Sequence, residues 1–431
     1  MATLRRDASI NAGSNIALAV LGIVSGSLVS YRFGPVGRGS LGAAQVVGAL
    51  CAGFGAMGLG DAMLYWIASK RSVGTRLVLQ ASLIAAFVAG LLGTAVGVVV
   101  TTRTDIRTSS GDFVLFCGLV AGATAFYTVP TGALRGAGKY ATWNGLRVGA
   151  TSMWIVALLI VTSIGHMLHL AIVGIVYAVS LTAIGSYAIV RTSREIRLAR
   201  LPERERHQLR PLILFGLPSA FASAPLLLNA RIDQVAVAIN SSANNVGQYV
   251  AAAGYCWATV PFGQAIANLT ATRVAAHADH NTRATTLRSL SGLGVTVVGA
   301  SGFLAWIAAP IAIRLLNGPG FGGAVGIARI LLVGATLQGV TFLLEEGARG
   351  LGRPKLAMVA ELSGLVTMVA LLAVFSRRGV TATAVASTMG YVTSFVVIVF
   401  AVGRVTSSQP WELLRPTGIR QLQAVRNKGT E

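Results

Sequence analysis

The chain alternates long apolar stretches with short polar ones. No Asp, Glu, Lys or Arg lies between Arg147 and Arg191, and nearly every residue in that interval is hydrophobic. A bilayer core takes about 20 helical residues, so one helix of this length would be roughly twice too long to cross it. The stretch must cross, turn and cross back, and the polar break around His166 and His169 marks the turn. Comparable runs predict about twelve spans, near residues 11–31, 41–67, 77–100, 113–134, 146–165, 170–190, 212–232, 246–269, 289–313, 324–344, 356–376 and 380–402. The expected fold class is therefore all-α, a polytopic membrane protein.

Composition supports this. The 431 residues are 54% hydrophobic and 11% charged, against about 25% charged in soluble domains. A soluble chain this apolar would expose large adhesive patches. The run after Arg5 and Arg6 is too long for a signal-peptide core and has no clear small-residue cleavage site, so it is expected to be an uncleaved first span. Cys51, Cys117 and Cys256 are dispersed in apolar runs, which argues for small buried hydrophobes and against a disulfide framework or a metal.

The net charge of +21 sets orientation and partners. With the N-terminus inside, the inner segments hold 26 Lys and Arg and the outer loops hold eight, with Arg329 inside a span. That asymmetry places both termini in the cytoplasm. Attraction to anionic lipid heads or an anionic substrate is the sharper consequence. The basic residues form no nucleic-acid module, so nucleic acid is not an expected partner.

The stretch from Arg191 to Arg210 holds seven arginines and three glutamates around Pro202, and reads as a cytoplasmic linker. The expected organisation is a first bundle over 1–190, a linker over 191–211, a second bundle over 212–402 and a basic tail over 403–431. The halves share a motif. Arg135-Gly136-Ala137-Gly138-Lys139 follows the fourth span, and Arg349-Gly350-Leu351-Gly352-Arg353 follows the tenth. Six spans per half make the repeats parallel, related about the membrane normal, and a site is expected between them near the midplane.

Catalytic patterns are missing from the sequence. There is no H-E-x-x-H, no G-x-S-x-G, no metal-ligand cluster and no phosphate-binding P-loop, since Tyr140 follows Gly138-Lys139. No catalytic residue, metal or cofactor is expected, and the chain does not read as an enzyme. Charged residues in spans are costly and usually face a protein interior or a water-filled cavity. Asp61, Arg147 and Glu361 sit deepest and favour a cavity role. Arg32, Arg231, Glu345 and Glu346 suit either a cavity or snorkelling at the interface. On the first span, Asn11, Asn15, Gly22, Ser25 and Arg32 keep one helical face, either a polar cavity wall or a small-residue packing seam. The seventh span carries Pro218 and Pro225, followed by Arg231, Asp233 and Gln234, and the eighth carries Pro261 and Gln264. Kinked helices at matching places in two halves point to a transport site, although Arg231 and Asp233 could equally neutralise one another.

Phe33-Gly34-Pro35-Val36-Gly37-Arg38-Gly39, then Gln45, then Gly58-Leu59-Gly60-Asp61-Ala62, resembles the start of the Wzx-type oligosaccharide flippases. These polysaccharide-biosynthesis transporters belong to the multidrug/oligosaccharidyl-lipid/polysaccharide exporter superfamily. Asn317-Gly318-Pro319-Gly320-Phe321 and the repeated Arg-Gly-x-Gly turns resemble other loops of theirs. The resemblance implies two six-helix bundles around a central cavity that opens alternately to each side of the bacterial inner membrane. It implies a polyprenyl-pyrophosphate-linked glycan as cargo, membrane lipids around it, and polysaccharide polymerase or glycosyltransferase partners. A pyrophosphate suits the planar fork of arginine. Arg32, Arg147 and Arg231, with Asn15 and Gln264, are then the substrate-binding candidates, and Asp61, Asp233 and Glu361 the coupling or ion-pair candidates. A cation-coupled multidrug antiporter of the same superfamily shares the topology but favours acidic cavities and aromatic walls, and only 7% of residues are aromatic here. A major-facilitator transporter expects acids in the loop after the second span, where Lys70 and Arg71 have none beside them. An integral-membrane glycan enzyme would need a larger outer loop.

Overall fold

The computed structural model describes residues 2–69, 73–102, 110–164, 169–195, 209–257, 259–277 and 279–416. The expected turn at His166 and most of the 191–211 linker lie outside these residues. So does the tail beyond residue 416. Every described element is helical: α1 (Ala2–Gly55), α2 (Leu59–Ala68), α3 (Thr75–Thr101), α4 (Ser110–Gly136), α5 (Tyr140–Ile164), α6 (Leu170–Glu195), α7 (Leu209–Asn229), α8 (Ile232–Asn240), α9 (Ala243–Trp257), α10 (Val260–Ala275), α11 (His280–Asn317), α12 (Ala324–Gly350), α13 (Lys355–Phe375), α14 (Val380–Val405) and α15 (Pro410–Leu414), with two short 3-10 turns.

Nine of these helices, among the described residues, are long and apolar enough to cross a membrane. The expectation of about twelve spans differs because several spans are broken. The Phe33–Gly39 segment, expected as a loop between two spans, is helical on both sides of Gly34 (φ 62°, ψ −168°). Gly34 tolerates that positive φ because it lacks a Cβ. The chain folds back sharply there. A Cβ on Gly26 would lie 3.0 Å from Arg38 Nη2, whereas a straight helix would separate those residues by about 18 Å. The second span then breaks again at Met57-Gly58 before α2. In α7 the axis bends by 47° between Phe221 and Ser223. Pro225 explains it, because its ring clashes with the carbonyl four residues earlier. The eighth expected span, 246–269, falls on two helices, α9 and α10. Counting each arm of α1, bent α7 and the α9–α10 pair as one crossing each restores roughly twelve.

The contacts divide the chain into two compact units, Met1–Gly247 and Gln248–Glu431. Each is built on one central span. The apolar windows of α4 and α12 are 56% and 61% buried, against 28% for α3 and α13, so these two helices are the cores of their units. In the first unit α4 packs Phe113, Phe116, Val120 and Val129 among α1, α2, α3 and α6. In the second, Val340 and Leu344 of α12 meet Val274, Leu287, Val298, Ile398 and Val402 from α10, α11 and α14. Phe87, Phe221, Ile311 and Val366 point outward, as apolar side chains bathed in lipid should.

The sequence repeat is also a structural one. After α4, Gly138 N donates to Arg135 O at 3.0 Å and Lys139 N to Leu134 O at 3.0 Å. After α12, Gly352 N donates to Arg349 O at 3.0 Å and Arg353 N to Ala348 O at 2.8 Å. Both are Schellman caps, in which a left-handed residue closes the helix, and Gly138 and Gly352 have φ of 71° and 74°. Gly136 and Gly350 match as well. A Cβ on Gly136 would lie 2.5 Å from Leu64 O, and one on Gly350 2.7 Å from Ala271 O. The last turn of each central helix therefore rests on the backbone of a broken span. The thiols lie at similar crossings: Cys117 Sγ donates to Ala44 O at 3.7 Å and Cys256 Sγ to Ala328 O at 3.5 Å. All three cysteines are buried and free.

Gly136→Val and Gly350→Val should each destabilise the detergent-purified protein by about 1–3 kcal/mol through overpacking. Gly299→Ala, in α11 with nothing within 4 Å of the new Cβ, should be neutral or stabilise by up to about 1 kcal/mol. Thermal unfolding of the three variants beside wild type checks both signs.

Candidate functional site

Arg147 enters α5 two turns after its start and turns inward against α1. Arg147 Nη1 donates to Asn15 Oδ1 at 3.2 Å and to Asn144 Oδ1 at 3.2 Å. Asn144 is 1% exposed, and its amide Nδ2 donates to Tyr140 O at 3.0 Å, so the side chain is fixed with its oxygen toward Arg147. The Arg147 guanidinium lies 4.6 Å from the centre of the Trp143 ring, and the Arg135 guanidinium lies 5.0 Å from the same ring. One indole thus carries two cations, an attraction of its electron-rich face for positive charge. Neither arginine has a carboxylate in an ion pair among the described residues. Two neighbouring oxygens, Asn11 Oδ1 on α1 and Tyr127 Oη on α4, are buried without a hydrogen-bond partner. The arrangement offers fixed donors and uncompensated positive charge within the first unit, which suits an anion with several acceptor oxygens.

The α1 stripe takes part in this arrangement. Asn15 meets α5 at Arg147, and Arg32, at the far end of the stripe, donates from Nη2 to Thr162 O on α5 at 3.3 Å. The polar face of α1 therefore runs along α5, both helices pointing the same way. Ser25 in that stripe bonds back to Gly22 O at 2.9 Å. Arg32 itself is exposed, whereas Arg147 and Asn15 are half-buried.

The remaining candidates lie elsewhere. Asp61 is exposed in the first turn of α2, and Asp233, 5% exposed, is in the first turn of α8. Each carboxylate follows a chain break and favours the positive end of the helix it starts. Asp233 Oδ1 also accepts from Gln234 N at 2.7 Å. Arg231 is half-buried between α7 and α8, with φ −142° just before α8 begins. Gln264 is exposed on α10 of the second unit. Glu361 is 5% exposed on α13 and accepts from Gln338 Nε2 at 2.8 Å. Glu345 is buried at 2% exposure, not at an interface, while Glu346 pairs with Arg349 one turn away. Arg329 stacks 4.6 Å from the Trp306 ring centre.

Sequence reasoning missed Trp143, Asn144 and Arg38. The signal for the first two was present. Tyr140, Asn144, Arg147 and Thr151 are spaced four, three and four apart, which keeps one helical face. Arg38, expected in an outer loop, lies on the second arm of α1 with its Nε buried and without a hydrogen bond. Nothing local in the sequence reveals the fold-back that puts it there. A groove of about 520 Å³ between α3 and α4 is lined, among the described residues, by uncharged side chains such as Thr94, Val98 and Leu119.

No protein-family model matches the chain, and no curated protein matches it. Solved structures do. The lipid II flippase MurJ in an inward closed conformation aligns with a TM-score of 0.73 at 12% identity, over 93% of this chain and 88% of that one. An inward-facing multidrug-resistance MATE transporter of the MOP superfamily aligns with a TM-score of 0.66 at 18% identity, over 90% and 95%. The eukaryotic MATE transporter AtDTX14 aligns with a TM-score of 0.66 at 14% identity, over 99% and 100%. At these identities the likeness is one of fold, and the chain is a multi-pass membrane protein with the fold that MATE transporters and MurJ share.

Proposed function

We propose that this chain is a Wzx-type flippase, moving a polyprenyl-pyrophosphate-linked oligosaccharide across the bacterial inner membrane by alternating access, for cell-surface polysaccharide synthesis. The observation that carries the proposal is the Arg147 cluster. Asn15 and Asn144 orient its guanidinium, and Trp143 holds it and Arg135 over one ring. A pyrophosphate presents several anionic oxygens, and the planar fork of arginine binds such oxygens in pairs. Arg32 and Arg231 are the further head-group contacts in this proposal, with Gln264 as a polar contact. Asp61, Asp233 and Glu361 are the coupling candidates. The functional halves are 1–190 and 212–402, joined by the 191–211 linker, with both termini cytoplasmic and polymerase or glycosyltransferase partners at the membrane. The multidrug-antiporter fold likeness makes cation efflux the competing reading, and the two cargos have opposite charge.

Proteoliposomes loaded with a polyprenyl-pyrophosphate glycan decide between them. Wild type should move the glycan to the protected side. Arg147→Ala should slow this by at least about tenfold, the equivalent of about 1.4 kcal/mol. Arg147→Lys should recover only part of the rate, because a point charge replaces the fork. Cation-driven efflux of a cationic drug without glycan movement would overturn the proposal.

Orientation has its own test, made simple by three native cysteines that are all buried. A membrane-impermeant thiol reagent added to intact cells should label Arg377→Cys. It should leave Lys139→Cys and Arg353→Cys unlabelled until the membrane is opened. All three side chains are exposed, so labelling in the reverse pattern would invert the topology.

A further inference from the structure

Arg38 lies on the second arm of α1 and turns back onto the first. The end of its guanidinium faces Gly26: a Cβ built there would lie 3.0 Å from Nη2, 3.5 Å from Cζ and 3.7 Å from Nη1. Its Nε is buried with no hydrogen-bond partner, and among the described residues no carboxylate pairs with it. A cation taken out of water costs free energy unless something pairs with it. Snorkelling would relieve that cost, but this side chain is half-buried and pressed against the neighbouring arm.

Gly26 belongs to the same face of α1 as Asn15. It comes 11 residues later, which is about three turns, so it points within about 20° of the same direction and lies about 16 Å further along the axis. Asn15 is where Arg147 Nη1 donates. Two guanidiniums from different elements, Arg147 from α5 and Arg38 from the second arm, therefore rest on one face of one helix. Between them that face carries small residues. Ala19 and Gly22 lie nearest the line joining the two, and Gly22 is exposed with nothing within 4 Å of a Cβ built on it. The interval is open where a larger side chain would fill it.

We propose that Arg38 is a second anion site of the first unit, that it takes a sugar carboxylate, and that the cargo is an acidic glycan. A planar guanidinium matches the two oxygens of a carboxylate. Arg38 stands alone, so a group with one negative charge balances it, whereas a phosphate ester carries nearly two. A pyrophosphate at Arg147 cannot also reach Arg38, because its two phosphorus atoms share a single oxygen. The second anion must sit further along the same molecule, with uncharged sugars over the open face at Gly22. The pyrophosphate end of this assignment rests on the flippase reading above. The carboxylate site at Arg38 rests on its own geometry.

The test gives the full chain in proteoliposomes two polyprenyl-pyrophosphate glycans of equal length, one with a uronic acid and one with the neutral parent sugar in its place. Wild type should move the acidic glycan faster by about tenfold, as one charge-assisted contact allows. Arg38→Gln should bring the two rates together. It should melt no lower than wild type, since an unpaired charge has left a half-buried place. Gly26→Ala keeps the charge but pushes the flexible end of Arg38 off its seat, and should also lower the ratio. Arg147→Ala should slow both glycans alike. Equal wild-type rates for the two glycans would overturn the Arg38 site and leave the flippase reading standing. So would an Arg38→Gln variant that melts well below wild type and slows both alike, since the role would then be structural. If wild type moves neither glycan, the flippase reading fails and binding decides the site. A free uronic-acid disaccharide should then raise the melting temperature of wild type and Arg147→Ala but not of Arg38→Gln, and no rise in wild type would overturn the site.

Discussion

A bilayer core has no water with which to satisfy a backbone or a buried side chain, and the rest of this structure follows from that. Helices answer it for the backbone, because each closes its own hydrogen bonds. What remains is to satisfy helix ends, helix breaks and the few polar side chains placed at depth. The Schellman caps after α4 and α12 satisfy carbonyls at two helix ends. Serine and threonine hydroxyls bond back to carbonyls in their own helices, as Ser82 does to Val78 O at 2.8 Å and Thr192 to Ala188 O at 2.7 Å. Polar groups that cannot bond back in this way gather with one another.

That gathering separates the two units chemically. The first collects Arg147, Arg135, Asn15 and Asn144 around Trp143, with donors in excess. The second brings Gln338 of α12 to Glu361 of α13 at 2.8 Å, with Glu345 buried seven residues on along α12. The backbone repeat is close, down to the glycines that seat the last turn of each central helix on a neighbouring backbone. The side chains placed on it are opposite in sign. One scaffold, used twice, thus carries a basic cluster in one unit and buried carboxyl side chains in the other.

The breaks matter as much as the spans. Gly34, Met57-Gly58 and the bend before Pro225 all interrupt apolar stretches where an unbroken helix would have been easiest to build. Each interruption leaves backbone groups that a neighbour must satisfy, and each is followed closely by a charged residue: Arg38, Asp61 and, beyond α7, Arg231. Broken helix and charge occur together because the freed backbone and the helix start supply the polar surroundings that a charge in a membrane needs.

The sequence by itself determined the class of the protein. Apolar runs longer than a bilayer is thick, interrupted by arginine-rich segments, leave a polytopic helical membrane protein as the solution, and the Arg-Gly-x-Gly repeat marked both ends at which the scaffold is duplicated. It also marked Asn15 and Arg147, because polar residues at helical spacing keep one face wherever the helix goes. The tertiary structure decided which faces meet. That Asn15 touches Arg147, that Arg38 folds back toward Gly26, that Glu361 meets Gln338, and that Glu345 is buried and not at an interface depend on helix breaks and crossings. Those are set by packing between residues far apart in the chain, and no local periodicity encodes them.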